Sequence, residues 1–394
     1  MNIGVLTTSF PLRTNPSSGV FVQRLVAHLA QHANVSVITP ASNIAFIDCC
    51  SLPYAVRFFC YAPRRFQTIA HQPGGIPVAL RNHRWLVLLM PLFIAAMFLS
   101  CLRHFRHMDI IHANWAACGA IAGMAGCILG IPVITTLRGS DVARIQNSVI
   151  DRIFLKTCLA TNRKIVCVSD AICTLVGQFF PTMRNKLLVI PNGVADEFLL
   201  IDRNYQVSDF GITFITIGNL TPLKSIHTAI EAFAKANIEN SRLIVIGDGP
   251  EKARLEQLAQ HLKVGKHVHF LGVLPPEEIP AQLFNADVFV FTSVSEGRPN
   301  AILEAMAAGL PLAATSIDGV AELVIDSING LLFEPGNSDI LASHLKRLAF
   351  DTALRRKLGS SAKQSLIDQD LTWNRTAESY LQVYKPYIHV ASSR

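Results

Sequence analysis

One pattern constrains the fold of this chain more than any other. Short apolar runs alternate with stretches whose apolar residues recur at helical spacing. Asn2-Ile-Gly-Val-Leu-Thr-Thr opens the series, and Gly19-Val-Phe-Val-Gln-Arg-Leu-Val-Ala-His-Leu-Ala follows with helical spacing. Val35-Ser-Val-Ile-Thr, Asp109-Ile-Ile-His-Ala, Pro132-Val-Ile-Thr-Thr, Lys164-Ile-Val-Cys-Val and Leu187-Leu-Val-Ile continue the strands. Short apolar runs separated by helices indicate strands buried on both faces, hence a parallel sheet between helical layers. After a loop of weaker periodicity, residues 192–211, a second series begins. It runs through Ile212-Thr-Phe-Ile-Thr-Ile-Gly, Arg242-Leu-Ile-Val-Ile-Gly, Val268-His-Phe-Leu-Gly, Val288-Phe-Val-Phe-Thr and Leu312-Ala-Ala-Thr. No sequence repeat links the two series. The pattern predicts two doubly wound α/β domains facing one another, with ligands in the cleft outside the carboxyl ends of the strands.

Composition agrees and adds a partition. The 394 residues are 50% hydrophobic and 16% charged, which excludes a disordered chain. The formal charge of +7 conceals an uneven distribution. Residues 1–190 carry 17 Lys and Arg against 5 acidic residues, all Asp, a balance of +12. Residues 191–394 carry 18 against 23, a balance of −5. Such asymmetry is a statement about partners. All nine Cys lie between Cys49 and Cys173, with no C-x-x-C pair and no zinc-ligand spacing, so they read as small buried hydrophobes. The N-terminus has no basic region and no small-residue cleavage site, and the protein is expected in the cytoplasm. Trp85 to Leu102 is uncharged, with Arg81 and Arg84 before it and Arg103 and Arg106 after it. Its length is at the short edge for a spanning helix. Arginines at both ends give no orientation, and Pro91 interrupts the run. A buried or interfacial helix is therefore expected, with a spanning helix as the alternative. With the basic half, the run suits peripheral attachment to an anionic membrane surface. No nucleic-acid partner is expected.

The most informative stretch is Ser295-Glu296-Gly297-Arg298-Pro299-Asn300-Ala-Ile-Leu-Glu304-Ala-Met-Ala-Ala-Gly309. Pro299 suits a first helical turn and Gly309 a C-terminal cap. Glu296 then falls in the loop at the helix mouth, and Glu304 about a turn and a half inside. The amides of Asn300, Ala301 and Ile302 are expected to receive an anion or polar sugar oxygens. Taken alone, two glutamates in such a segment read more simply as a capping loop and a solvated helix face.

The surrounding residues change that reading. The Glu296-to-Glu304 pair resembles the E-x7-E signature of the family 4 glycosyltransferases. Ser18-Gly-Val-Phe-Val-Gln-Arg, Ile111-His-Ala-Asn-Trp115, Leu137-Arg-Gly-Ser-Asp-Val142, Val168-Ser169, Ile190-Pro-Asn-Gly-Val194, Ile246-Gly-Asp-Gly-Pro250 and Phe270-Leu-Gly272 match the family in order and spacing. The resemblance implies a GT-B fold of two Rossmann-like domains facing across a cleft. Residues 1–192 would form the acceptor and membrane-facing domain, and 193–370 the nucleotide-sugar domain. Residues 371–394, with Trp373, would supply a helix crossing back onto the first domain. The implied reaction is a retaining, metal-independent transfer from a UDP- or GDP-sugar to a lipid-linked acceptor in polysaccharide or glycolipid assembly, with no cofactor and no metal site.

By the same likeness, Glu304 would hold the ribose hydroxyls, Glu296 would contact the donor sugar near the reacting carbon, and Lys224 would hold the diphosphate. A lysine there suits a point-charge contact that stabilises the departing diphosphate. Glu296, His112 and Lys224 are thus the expected catalytic residues. Gly19, Asn219, Lys224, Arg298, Pro299, Asn300 and Glu304 are the expected donor contacts. His112, Arg138 and Asp141 are expected to face the sugar or acceptor, with Asp141 orienting Arg138 or acting near the acceptor hydroxyl. Three departures from the family pattern stand out. Asn219 replaces the usual Arg, Ser225 replaces the usual Gly, and Arg138 stands where many members have His. Arg298 is expected to replace the missing cation. A nucleotide-sugar epimerase on the same fold and a catalytically weakened membrane scaffold are the alternatives. Gly247-Asp-Gly249 lacks the third glycine of a dinucleotide site, since position 252 is Lys, and Asp368-Gln-Asp370 falls in a helical region. Both are expected to be structural.

Overall fold

The computed structural model describes residues 1–11, 18–43, 52–71, 75–203, 205 and 211–388; the Cys49–Cys50 pair lies outside them. The chain divides into two compact units, one comprising Met1–Asn192 and the segment from Trp373, the other Gly193–Thr372.

In the first unit the order is β1 (Asn2–Leu6), α1 (Val20–Leu29), β2 (Asn34–Pro40), β3 (Ala55–Phe59), α2 (Gly75–Asn82), α3 (Met90–His104), β4 (Ile110–Asn114), α4 (Ala116–Leu129), β5 (Val133–Leu137), α5 (Val149–Thr161), β6 (Lys164–Cys167), α6 (Asp170–Phe179) and β7 (Leu187–Val189). The strands form one sheet in the order β3-β2-β1-β4-β5-β6-β7, and every pairing is parallel. β1, β4 and β5 are almost wholly enclosed, as the continuous apolar runs require. The edge strand β3 was not legible as a strand, because it alternates exposed and covered residues around Arg57 instead of forming an apolar run. The strand order reverses between β1 and β4, so the loops after these strands diverge and leave a crevice at their carboxyl ends.

The apolar run from Trp85 is not one regular helix. Arg84–Leu89 forms a 3₁₀ turn, and α3 begins at Met90 with Pro91 in its first turn, where the missing N–H costs nothing. By length and composition Arg84–His104 is long and apolar enough to cross a membrane. One face packs inward through Leu86, Phe93, Met97 and Cys101, against Phe59, Tyr61, Ile111 and Cys118. The other face leaves Leu88 79% and Leu99 62% exposed, together with Trp85 and Leu92. The cysteines also divide. Cys101, Cys118, Cys158 and Cys167 are buried as expected of small hydrophobes, whereas Cys60 and Cys127 are exposed.

The second unit runs α7 (Asp196–Leu199), β8 (Ile212–Ile217), α8 (Ile226–Ala236), β9 (Ser241–Ile246), α9 (Lys252–His261), β10 (Val268–Gly272), α10 (Ile279–Phe284), β11 (Val288–Phe291), α11 (Asn300–Ala307), β12 (Leu312–Thr315), α12 (Asp318–Ala321), β13 (Leu331–Phe333), α13 (Ser338–Phe350) and α14 (Thr352–Asp368). Its sheet is also all parallel, in the order β10-β9-β8-β11-β12-β13, with the reversal between β8 and β11. Asp368 ends α14, consistent with a structural role for Asp368-Gln-Asp370. The last helix, α15 (Trp373–Ile388), belongs to the first unit and packs on α1 and β4.

Candidate active site

In the second unit, two loops leave the sheet at the strand reversal. The loop after β8 turns through a 3₁₀ segment, Pro222–Lys224, into α8. The loop after β11 carries Glu296 into α11. Cross-links hold the two loops together. Thr292 Oγ1 donates to the Lys224 carbonyl at 2.9 Å and the Val294 amide donates to the Leu223 carbonyl at 2.9 Å, while Thr315 Oγ1 at the end of β12 ties the second loop down by donating to the Ser293 carbonyl at 2.7 Å. The consequence is that Lys224 and Glu296 meet, Lys224 Nζ donating to Glu296 Oε1 in an ion pair that keeps some solvent access. Lys224 also lies 5.8 Å from the centre of the Phe291 ring. Gly319, at the start of α12, allows this loop to lie flat. A Cβ there would come 2.4 Å from the Glu296 carbonyl oxygen. Sequence reading missed this residue, since nothing near it resembles a motif.

The α11 terminus differs in detail from expectation. Pro299 is the residue before the helix, not within its first turn. Its carbonyl accepts from the Ile302 amide at 3.1 Å, so that amide is not open to a ligand. Gly309 adopts φ 68° just past the helix end, and the Leu310 amide reaches back to the Ala305 carbonyl at 2.9 Å, closing the expected cap. Glu304 and Asn300 are partly exposed, as is Glu296, while Asn219 is exposed. Arg298 corrects another expectation. Its side chain is 5% exposed and lies 3.6 Å from Glu322 in an ion pair, so its charge serves the loop instead of standing open as a replacement cation. Glu322 is too far along the chain for that pairing to be read from sequence.

The first unit gathers a second group of residues at the carboxyl ends of its strands. Gly19 caps α1 with φ 69°, beside Ser9, whose hydroxyl meets that of Ser18 at 2.7 Å. Asp141 is buried and accepts from three amides, those of Ala116 at 2.9 Å, Arg138 at 3.2 Å and Gly139 at 3.0 Å. Burial pushes its carboxyl above the usual range, and these amides oppose the shift. The carboxylate therefore shapes the backbone on which Arg138 stands. Arg138 donates Nε and Nη2 to Asn114 Oδ1 at 3.2 and 2.7 Å, and Nη1 to Asn192 Oδ1 at 2.7 Å. Its guanidinium carbon lies 4.6 Å from the centre of the Phe21 ring, and Phe21 meets Trp115 edge-on at 6.0 Å. Trp115 adopts φ 70°, ψ 152°, a region that non-glycine residues rarely enter.

His112 is the clearest correction. It was expected to be catalytic and sugar-facing, but it is 0% exposed, with both ring nitrogens engaged. Nε2 shares a hydrogen bond with Thr136 Oγ1 at 2.8 Å, and Nδ1 shares one with the Tyr384 hydroxyl at 2.7 Å. Thr136 Oγ1 also meets the Tyr380 hydroxyl at 2.7 Å. Burial, assisted by the Arg138 charge, pushes the imidazole pKa down to about 3, so it is neutral near pH 7. The histidine is a dock for α15.

Comparison with known proteins agrees with this arrangement. The sequence model described as Glycosyl transferases group 1 matches residues 201–365, and that described as Glycosyltransferase Family 4 matches residues 18–198. An uncharacterized glycosyltransferase of Methanocaldococcus jannaschii is 30% identical over 279 residues, 71% of this chain and 75% of that protein. The N-acetyl-alpha-D-glucosaminyl L-malate synthase of Bacillus anthracis is 27% identical over 275 residues, 67% of this chain and 71% of that protein. The crystal structure of Anabaena HepE in complex with UDP and glucose superposes with a TM-score of 0.76 at 20% identity, covering 98% of this chain and 100% of that one. Two parallel sheets of seven and six strands, the Lys224–Glu296 junction and these matches lead to one assignment: the chain belongs to the family 4 glycosyltransferases and has the GT-B fold.

Proposed function

We propose that this glycosyltransferase moves a hexose-type sugar from a UDP- or GDP-sugar to a lipid-linked acceptor, with retention of configuration and without a metal, at the cytoplasmic face of an anionic membrane. The observation that carries the reading is the Lys224–Glu296 pair at the strand reversal of the second unit, with Glu304 on α11 close by in sequence. Negative charge accumulates on a diphosphate as it leaves, and a preplaced ammonium group stabilises it most when charge is greatest. Lys224 would exchange Glu296 for the diphosphate when the donor enters. Glu296 would then be released toward the sugar, and Glu304 would accept from the ribose hydroxyls. Support for a uridine nucleotide comes from the UDP and glucose held by the HepE crystal structure. Support for the membrane face comes from the exposed apolar side of α3 and its flanking arginines.

A thermal-shift screen of UDP-, GDP- and ADP-sugars identifies the donor, since a ligand at 100 times its Kd stabilises by about 2.7 kcal/mol. With that donor, Lys224→Ala and Glu296→Ala should each lower transfer by roughly 10²–10³, the usual cost of one missing transition-state contact. Activity should persist in EDTA, and NMR of the product should show the donor's anomeric configuration. Conversion of donor to an isomer without acceptor would favour an epimerase instead, and unchanged transfer in both variants would overturn the proposal.

A further inference from the structure

The Arg138 guanidinium is a cation supported only by neutral groups. It has five N–H bonds, of which three go to the carbonyl oxygens of Asn114 and Asn192, leaving one on each terminal nitrogen. Among the described residues no carboxylate forms an ion pair with it; Asp141, the acid nearest in sequence, spends its oxygens on backbone amides. Beneath it lies the face of Phe21, which favours a cation but does not neutralise it. A partly desolvated charge without a counter-ion is unfavourable until an anion arrives.

Two independent observations point to a ligand at the same place. Asn114 is fully enclosed, and its Nδ2 has no hydrogen-bond partner although Oδ1 is fixed by two donations from Arg138. A buried donor without an acceptor is uncommon enough to need a reason. Trp115, the next residue, holds a strained backbone that places its ring against Phe21. Asn114 ends β4, and Trp115, Arg138 and Phe21 follow β4, β5 and β1, around the strand reversal where doubly wound sheets receive ligands.

We propose that Arg138 is a specificity-determining residue that selects a substrate bearing an anionic group, a carboxylate or a phosphate, bound to the first unit beside Asn114. The planar guanidinium fits both oxyanions better than an ammonium group does. The inference deepens the glycosyl-transfer reading and rests on it. The anion belongs either to the transferred sugar or to the acceptor, and the probes separate the two.

Calorimetry on the full chain would compare UDP, UDP-glucose and UDP-glucuronic acid, and then glycerol with glycerol 3-phosphate in the presence of UDP. At least a tenfold advantage for UDP-glucuronic acid over UDP-glucose assigns the anion to the sugar; the same advantage for glycerol 3-phosphate over glycerol assigns it to the acceptor. Arg138→Gln should abolish that advantage and leave UDP affinity unchanged, and Arg138→Lys should retain only part of it. Asn114→Asp, an isosteric change that supplies the missing counter-ion, should abolish it as well, so one folded variant suffices. Equal binding of anionic and neutral probes, or an advantage that survives both variants, overturns the inference while leaving UDP binding intact. Absence of binding by UDP and by GDP alike in the wild type overturns the nucleotide-sugar reading itself, and the inference with it.

Discussion

Ser225 stands where the family usually has glycine, and the backbone there explains the usual choice. Its φ of 48° and ψ of 39° lie in the left-handed region, which costs a side chain about 1 kcal/mol. Its buried hydroxyl meets Thr228 Oγ1 at 3.0 Å, and that bond offsets the strain by a similar amount. Ser225→Gly should therefore change stability by no more than about 1 kcal/mol, since strain and hydrogen bond disappear together. Ser225→Val keeps the strain, adds branching that the left-handed region rejects, and strands the Thr228 hydroxyl, so a loss of about 2–3 kcal/mol is expected. Urea unfolding of the two variants checks this, and equal midpoints would show that the backbone at 225 is not confined. Individual residues were legible in sequence to the extent that their partners were close or motif-bound. Lys224 and Glu296, which the fold brings into contact, were singled out because the family's spacing marks both. Arg298 was misread because Glu322 neutralises it from another element. Asn114 and Asn192 fall inside family-matching motifs but were given no role, since a neutral amide acquires meaning only from the guanidinium the fold brings to it.

At the scale of elements, α15 depends on a histidine that sequence reasoning placed in the chemistry. A His at a strand end reads as a ligand contact when the partners that bury it, Tyr380 and Tyr384, are distant in sequence. The Tyr384 bond alone spans 272 residues. Removing one hydroxyl leaves a buried polar group unsatisfied, so Tyr384→Phe and Tyr380→Phe should each destabilise by about 1–2 kcal/mol. Because the groups share one network, the double variant should lose less than the sum. His112 also makes stability depend on pH, with a definite sign. In the folded chain its pKa is about 3, whereas the unfolded chain titrates near 6.5. Between those values only the unfolded state binds the proton. The contribution is therefore complete above pH 6.5 and lost as pH falls toward 3, at about 1.4 kcal/mol per pH unit. His112→Gln should be less stable at pH 7 yet lose less on acidification from pH 6.5 to 4, measured by urea unfolding at each pH. Parallel slopes in wild type and variant would remove His112 as the source. Most strands legible in advance are enclosed on both faces, while β7 and β10 are partly exposed and were still legible as short apolar runs. β3 was not legible, being half exposed at the sheet edge, and neither was the three-residue β13.

Across the whole chain, charge and apolar exposure coincide in a way neither predicts alone. The basic balance of +12 lies in residues 1–190, within the stretch that builds the seven-stranded sheet. That unit also carries the outward side of the 84–104 segment. Arg84 precedes the exposed Trp85, Leu88, Leu92 and Leu99, and the exposed Arg103 and Arg106 follow. An interfacial helix works by this division: apolar side chains enter the headgroup boundary while arginines meet anionic headgroups, each worth about 1 kcal/mol near the surface. A spanning helix would instead have to expose the inward face, where Phe93, Met97 and Cys101 are part of the core. Losing those contacts costs several kcal/mol, since each buried side chain contributes about 1.5–3 kcal/mol. The core contacts thus favour the proposed placement on a membrane surface over a span. The protein should sediment with phosphatidylglycerol vesicles and not with phosphatidylcholine vesicles, and 0.5 M salt should release most of it by screening the arginines. Leu88→Ser with Leu99→Ser should weaken binding without unfolding the protein, because both side chains are already exposed. Arg103→Gln with Arg106→Gln should flatten the salt dependence. Extraction requiring detergent, even at high salt, would instead indicate a span and overturn the interfacial assignment. Absence from both pellets would leave the exposed strip to serve some other partner.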